Sequence, residues 1–256
     1  MERALPVLLE LNRVLRSVVY RSPWVARLLF GCRLVACGGT SFWELGSLAM
    51  RKALRRYLRD GMRVLEIGTG PYAILPLWSL SRWELSVTAT DVEGRWVDWA
   101  RRMIARNARL ATVITSDMFS AVEGRFDLIW FFPPAYPEAT LRTHPAMREA
   151  VDAEQARLLT TRSCGGRGGW ELIDRFYRHA AGHLADGGRT LVAVNDLVQP
   201  DSRIRGIVAR HGFELEEEIG LSLVPYRVYV ARRAASVAQE GPASVELQDA
   251  RPRATR

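Results

Sequence analysis

The spacing of apolar residues changes character part-way along the chain. Between Leu5 and Val19, Leu8, Leu11, Leu15 and Val18 recur at three- and four-residue steps with Arg13 and Arg16 between them, the period that lines one face of a helix. Pro23 punctuates this stretch. A second helix is predicted from Trp24 to about Val35, ended by Gly38-Gly39. A third is predicted from Ser41, whose spacing to Glu44 is that of a capping box, to about Leu58. From residue 63 onward short apolar runs alternate with longer amphipathic ones. Strands are predicted at Arg63 to Ile67, Leu85 to Thr90, Ala111 to Thr115, Phe126 to Phe131 and Thr190 to Asn195, and helices at Ala73 to Leu80, Arg95 to Ala108, Gly169 to His183 and Ile204 to His211. Alternation of this kind predicts an α/β fold with a mostly parallel sheet covered by helices on both faces. Arg227 to Ala231 reads as a final strand, and from Ala235 the periodicity stops in a mixture of Gln, Gly, Pro, Ser and charges, which predicts a disordered tail. The expected organisation is an N-terminal helical extension or lid over 1-60, one α/β domain over 61-234 and a tail over 235-256.

Length and composition fit this picture: 256 residues suffice for one sizeable core, and 48% hydrophobic with 25% charged residues is ordinary for a soluble globular chain. A net charge of +8 attracts phosphates without sequence preference. Lys52 is the one lysine beside 35 arginines, however, and so extreme a preference points to coding composition as readily as to a nucleic-acid partner. Cys32, Cys37 and Cys164 form no CxxC pair and the four histidines are scattered, so no metal site and no disulfide framework is expected, and a reducing cytoplasm is the simplest location. The most apolar early stretch, Pro23 to Gly39, is interrupted by Arg27 and Arg33. Neither secretion nor a membrane partner is expected.

The candidate chemistry sits at strand ends. Val64-Leu65-Glu66-Ile67 ends in Gly68-Thr69-Gly70-Pro71, where the glycines let the backbone approach a ligand and Pro71 suits the first turn of the following helix. About twenty residues later the next strand ends in Asp91, whose carboxylate can accept hydrogen bonds from both hydroxyls of a ribose. The third leads into Ser116-Asp117-Met118, suited to clamping an adenine by edge and face. A dinucleotide oxidoreductase would want glycine where Ala73 stands, and no catalytic Tyr-Lys or Cys-His pairing follows.

From Arg63 to about Arg232 the chain resembles class I S-adenosylmethionine-dependent methyltransferases, most closely the release-factor glutamine methyltransferases and their adenine-N6-modifying relatives. The likeness is carried in order by Glu66-Ile67-Gly68-Thr69-Gly70, Ala89-Thr90-Asp91, Ser116-Asp117-Met118-Phe119, Phe126-Asp127-Leu128-Ile129 running into Pro133-Pro134, and Gly168-Gly169-Trp170-Glu171-Leu172 leading to Ala185-Asp186-Gly187-Gly188-Arg189. The resemblance implies S-adenosyl-L-methionine as cofactor, held by Glu66, Gly68, Thr69 and Gly70 at the methionine part, Asp91 with Val92 at the ribose, and Asp117 with Met118 at the adenine. It also implies that Leu184 to Thr190 is a structural helix-to-strand turn.

Where the family carries Asn-Pro-Pro-Tyr, recognising a planar nitrogen, this chain reads Phe132-Pro133-Pro134-Ala135, with Tyr136 one position late. A phenyl ring accepts no N–H bond, so Phe132 suits an apolar or cationic group better than an amide. Phe131, alternating with it, is expected in the core. Tyr72 is a second departure, standing where the relatives often have a small residue. Phe132, Pro133, Pro134 and Tyr136 are the expected acceptor residues, and His144, Glu138, Tyr136 and Tyr177 are candidates for proton handling. The expected function is methyl transfer to a small-molecule nucleophile, an amine of secondary metabolism. The alternatives are a lyase, cyclase or aminocarboxypropyl transferase releasing methylthioadenosine, a protein or RNA N-methyltransferase, and a non-catalytic cofactor-binding protein.

Overall fold

The computed structural model describes residues 18–37, 40–143, 160–161, 163–222 and 224–234. The predicted helix over Leu5 to Val19, the pair Gly38-Gly39, His144 and the tail from Ala235 lie outside these residues, Val18 and Val19 excepted.

Helix α1 (Pro23–Phe30) starts on Ser22, whose hydroxyl accepts from the Val25 amide, and stops at Gly31 in the left-handed region. It is therefore shorter than the stretch predicted to Val35: the φ of 72° at Gly31 breaks the helix before its apolar run ends. Helix α2 (Leu45–Tyr57) begins later than Ser41. Its capping box is formed by Glu44 and Ser47, leaving Ser41 to Trp43 outside the helix.

The sheet contains β1 (Arg63–Ile67), β2 (Ser86–Asp91), β3 (Thr112–Thr115), β4 (Phe126–Phe131), β5 (Leu184–Asn195), β6 (Phe213–Gly220) and β7 (Tyr226–Arg233), in the order β3-β2-β1-β4-β5-β7-β6. The first five are parallel, while β7 runs antiparallel to both β5 and β6. The parallel strands are joined through α3 (Ile74–Leu80), α4 (Gly94–Arg106), α5 (Glu138–Thr143) and α6 (Glu171–His183), and α7 (Asp201–Arg210) precedes β6. Helix α3 starts three residues after Pro71, with Ala73 in the left-handed region at its N-cap, so Pro71 belongs to the turn and not to the first helical turn. Leu184 to Thr190 is likewise no separate turn but the opening of the long strand β5.

Two apolar clusters flank the sheet. One joins α1 and α2 (Phe30, Met50, Leu54), α3 (Trp78) and α4 (Val97) to inward-facing Val64, Trp130 and Leu191. The other gathers Ile67, Phe131, Phe176, Tyr177 and Tyr229 on the opposite face. Alternation along β4 sends Trp130 to one cluster and Phe131 to the other, and each is under 3% exposed. The carboxyl ends of β1, β2 and β4 therefore open side by side between two packed layers, where a ligand meets strand-end loops instead of side-chain core.

Candidate functional site

A cavity of about 560 Å³ lies at those strand ends. Glu66, Gly68, Thr69, Gly70, Asp91, Val92, Asp117, Met118, Phe132, Pro133, Pro134 and Tyr136 all line it.

Its first half is built by backbone. The Gly70 amide donates to Asp91 Oδ2 at 2.8 Å and the Glu93 amide to Oδ1 at 3.0 Å, so the acid closing β2 clasps the turn that leaves β1. The Thr69 amide donates to the Thr90 carbonyl at 2.8 Å. Burial pushes the Asp91 carboxyl up to about 6, against the pull of the Glu93 and Gly70 amides. Glu66 is deeper. Its Oε1 accepts from the Trp130 indole at 2.7 Å, and burial raises the carboxyl to about 7, opposed by the Thr69 hydroxyl and the Trp130 indole beside it and reinforced by the charge of Asp91. Met118 turns in the left-handed region (φ 53°) and is buried, whereas Val92 is exposed at the rim. Asp117, also exposed, pairs with Arg175 at 2.8 Å.

The second half is assembled from distant segments. Ser41, Phe42, Trp43 and Glu44 form a strap along its wall, joined by Phe132 to Tyr136 from the segment after β4, Ser163 and Cys164, and Tyr226 from β7. Phe132 is half-buried and meets the Tyr226 ring edge-on, with centroids 5.6 Å apart. Both rings stand on the first turn of α2: a Cβ at Gly46 would lie 2.2 Å from Phe132 Cζ and 2.9 Å from Tyr226 Cδ1, so glycine is what lets Phe132 occupy this place. A similar approach fixes the loop after Pro134. The Tyr136 amide donates to the Ser163 carbonyl and the Gly165 amide to the Tyr136 carbonyl, and a Cβ at Gly169 would lie 2.4 Å from the Ala135 carbonyl oxygen.

Tyr72, the residue out of place in the resemblance, ties the strap to the glycine turn. Its hydroxyl accepts from the Cys37 amide at 2.8 Å and lies 2.7 Å from Thr40 Oγ1, while its ring packs on Phe42 at 4.7 Å. Its size marked it as unusual, but the partners that explain it lie thirty or more positions away. The strap also brings two buried polar atoms that meet no partner, Ser41 Oγ and Trp43 Nε1, into residues lining the cavity. The sequence marks Ser41 only as a cap, and Trp43 only as part of the stretch over 1-60 expected to form a helical extension or lid. Of the proton-handling candidates, Tyr136 lines the cavity, Glu138 is exposed outside it, and Tyr177 is sealed in the core, where burial raises its phenol further.

The residues present fit a bound nucleoside cofactor. Glu66 Oε2, Ser41 Oγ and Trp43 Nε1 are buried groups without partners, and open space surrounds the Cβ direction of Gly70. The fold is that of class I S-adenosylmethionine-dependent methyltransferases, and the residue types at the strand ends fit that class. Residues 44–161 match the family model described as the methyltransferase small domain.

The chain is 29% identical over 132 residues to the ribosomal RNA small subunit methyltransferase C of Mannheimia succiniciproducens, covering 52% of this chain and 38% of that protein. It is 38% identical over 91 residues to the ribosomal protein L11 methyltransferase of Thermosipho africanus, covering 36% and 34%. A solved methyltransferase from Pyrococcus furiosus superposes with a TM-score of 0.61 at 25% identity, covering 86% of this chain and 96% of that one. The chain thus spans little more than a third of the length of the two sequence relatives.

Proposed function

We propose that this protein is an S-adenosylmethionine-dependent N-methyltransferase whose acceptor is an amine carried on a protein. The observation that carries this reading is the character of the acceptor half. Phe42, Trp43, Phe132, Tyr136 and Tyr226 surround it with rings, Glu44 stands at its edge, and among the described lining residues the one arginine, Arg175, is engaged by Asp117. Ring faces and a carboxylate favour a cationic or amine group, each ring face by about 0.5–2 kcal/mol. Phe132 in place of asparagine removes the acceptor that a planar amide or adenine would need. The name of the Thermosipho relative, a ribosomal protein methyltransferase, supports a protein as carrier more than the small metabolite expected from sequence alone.

Bound cofactor would supply an electrophilic methyl group. Asp91 would hold its ribose, Glu66 and the Gly68 to Gly70 turn its methionine end, and Val92, Asp117 and Met118 its base. Phe132 and Tyr136 would hold the amine in line and keep water out, so that orientation and desolvation do most of the catalysis. The amine would enter in its neutral form, having lost a proton to bulk water; its nitrogen would take the methyl group as S-adenosylhomocysteine leaves, and the methylammonium formed would release its proton to solvent on departure.

An RNA acceptor is the second reading, favoured by the name of the Mannheimia relative. Purified protein is to be incubated with methyl-tritiated S-adenosylmethionine and extract of its host, and the labelled material treated with protease, with nuclease or by dialysis. Protease-sensitive, nuclease-resistant label together with S-adenosylhomocysteine is the expected result. Nuclease-sensitive label would transfer the assignment to RNA, dialysable label to a small molecule, and methylthioadenosine would replace methyl transfer by lyase or cyclase chemistry.

A further inference from the structure

Away from the cavity, one stretch of surface combines exposed apolar side chains with arginines that have no acidic partner. Ala26 and Phe30 bury one face of α1, and on its other face Trp24 and Leu28, one turn apart, are 82% and 84% exposed. Leu110, four residues past α4, is 90% exposed. Asn107 joins the two helix ends into one surface: its Oδ1 accepts from the Arg33 amide at 2.8 Å and its Nδ2 donates to the Arg33 carbonyl at 3.0 Å. Between them lies a separate cavity of about 330 Å³ whose lining includes Arg33, Arg106 and Arg109.

The charge balance of this region differs from that of the β6 edge of the sheet. Along β6, Glu214, Glu216, Glu217 and Glu218 are matched by Arg232, Arg189, Arg56, Arg205 and Arg227, so the positive charge there is cancelled locally. Among the described residues Arg27, Arg33, Arg106 and Arg109 have no carboxylate at ion-pair distance. Uncompensated positive charge therefore sits on the same segments that expose Trp24, Leu28 and Leu110, with Arg27 next to Leu28 and Arg109 next to Leu110 in the chain.

We propose that this surface docks on an anionic lipid bilayer, with Trp24, Leu28 and Leu110 entering the boundary between headgroups and acyl chains and the four arginines meeting lipid phosphates. Indole and leucine side chains flanked by arginine are the combination that a membrane interface takes up. A second copy of the chain would set arginine against arginine. RNA would satisfy the arginines and leave Leu28 and Leu110 in water. No described helix is long and apolar enough to cross a membrane, so the docking is peripheral.

The test is flotation of the full-length chain with vesicles of phosphatidylcholine alone and of phosphatidylcholine with phosphatidylglycerol, at physiological salt. Flotation with the anionic vesicles only is expected. Both the double variant Trp24→Ser/Leu28→Ser and the charge reversal Arg106→Glu/Arg109→Glu should weaken it at least about tenfold, with cofactor binding and thermal unfolding unchanged because all four side chains are on the surface. No flotation with anionic vesicles overturns the proposal. So does flotation that survives the apolar double variant, which would be charge attraction alone. RNA binding abolished by the charge reversal in the absence of vesicle binding assigns the surface to nucleic acid instead.

Discussion

The two halves of the cavity are held in different ways. At the cofactor half, neighbouring strand ends are clasped by backbone amides on one carboxylate, Asp91, and every participant lies within one β-α-β unit. At the acceptor half, four segments from across the chain meet through rings and glycines, with Gly46, Phe132 and Tyr226 in mutual contact although about ninety residues separate each from the next. Main-chain bonding preserves a binding geometry through many side-chain changes. Side-chain packing lets the geometry be rewritten by one or two. The cofactor half is thus built to stay the same and the acceptor half to diverge.

The strongest way to break this contrast is Asp91→Ala. Loss of two amide partners and of the ribose acceptor should weaken S-adenosylmethionine binding roughly 10- to 100-fold by calorimetry, leaving the fold assembled. Gly46→Ala attacks the other half. The added Cβ must displace Phe132, at a cost of about 1–3 kcal/mol in stability, and acceptor kcat/KM should fall while the cofactor Kd stays as it was. If the cofactor Kd changes equally, the two halves are not separable. Removing the ring in the double variant Gly46→Ala/Phe132→Ala should recover part of the stability lost in Gly46→Ala.

Acid titration sharpens the contrast without mutation. Glu66 and Asp91 are raised to about 7 and about 6 by burial, so each costs more to ionise in the folded chain than in the unfolded one. Their contribution to stability is fully present below the unfolded carboxyl range and is lost as pH rises through about 7. Cofactor hydroxyls and cationic groups prefer the ionised acids, so cofactor affinity should instead fall as pH drops from about 8 to about 6. Melting curves of the free protein and calorimetry across that range should therefore slope in opposite directions. Parallel slopes would remove these carboxyls from the cofactor site. The smallest effect is expected for Tyr72→Phe, which loses the bonds to Cys37 and Thr40: about 1 kcal/mol, or about 2–4 °C in Tm by differential scanning calorimetry.

The same contrast explains what sequence reading could and could not reach. Strands β1 and β4 coincide with the predicted ranges because a buried parallel strand announces itself in a few consecutive residues. Glu66, Gly70, Asp91 and Met118 were legible as strand-end chemistry, and they line one cavity. Ser41 was read as a helix cap because its spacing to Glu44 mimics one, and only the register of α2 places the cap at Glu44 with Ser47. The end of α1 was placed beyond its true stop because the apolar run continues past Gly31, where backbone conformation decides. The Tyr72 anchor and the contact of Gly46 with Phe132 join positions that no local window contains.

That last contact works as a two-position signature. An aromatic residue ahead of the Pro-Pro pair requires a residue without a side chain two places after the acid that caps α2. A chain of this fold with phenylalanine at the first position should therefore carry glycine at the second, and one with asparagine there is released from the requirement. Pairing the two positions would sort uncharacterised sequences into those built on the rewritten acceptor half and those that keep the nitrogen-recognising one.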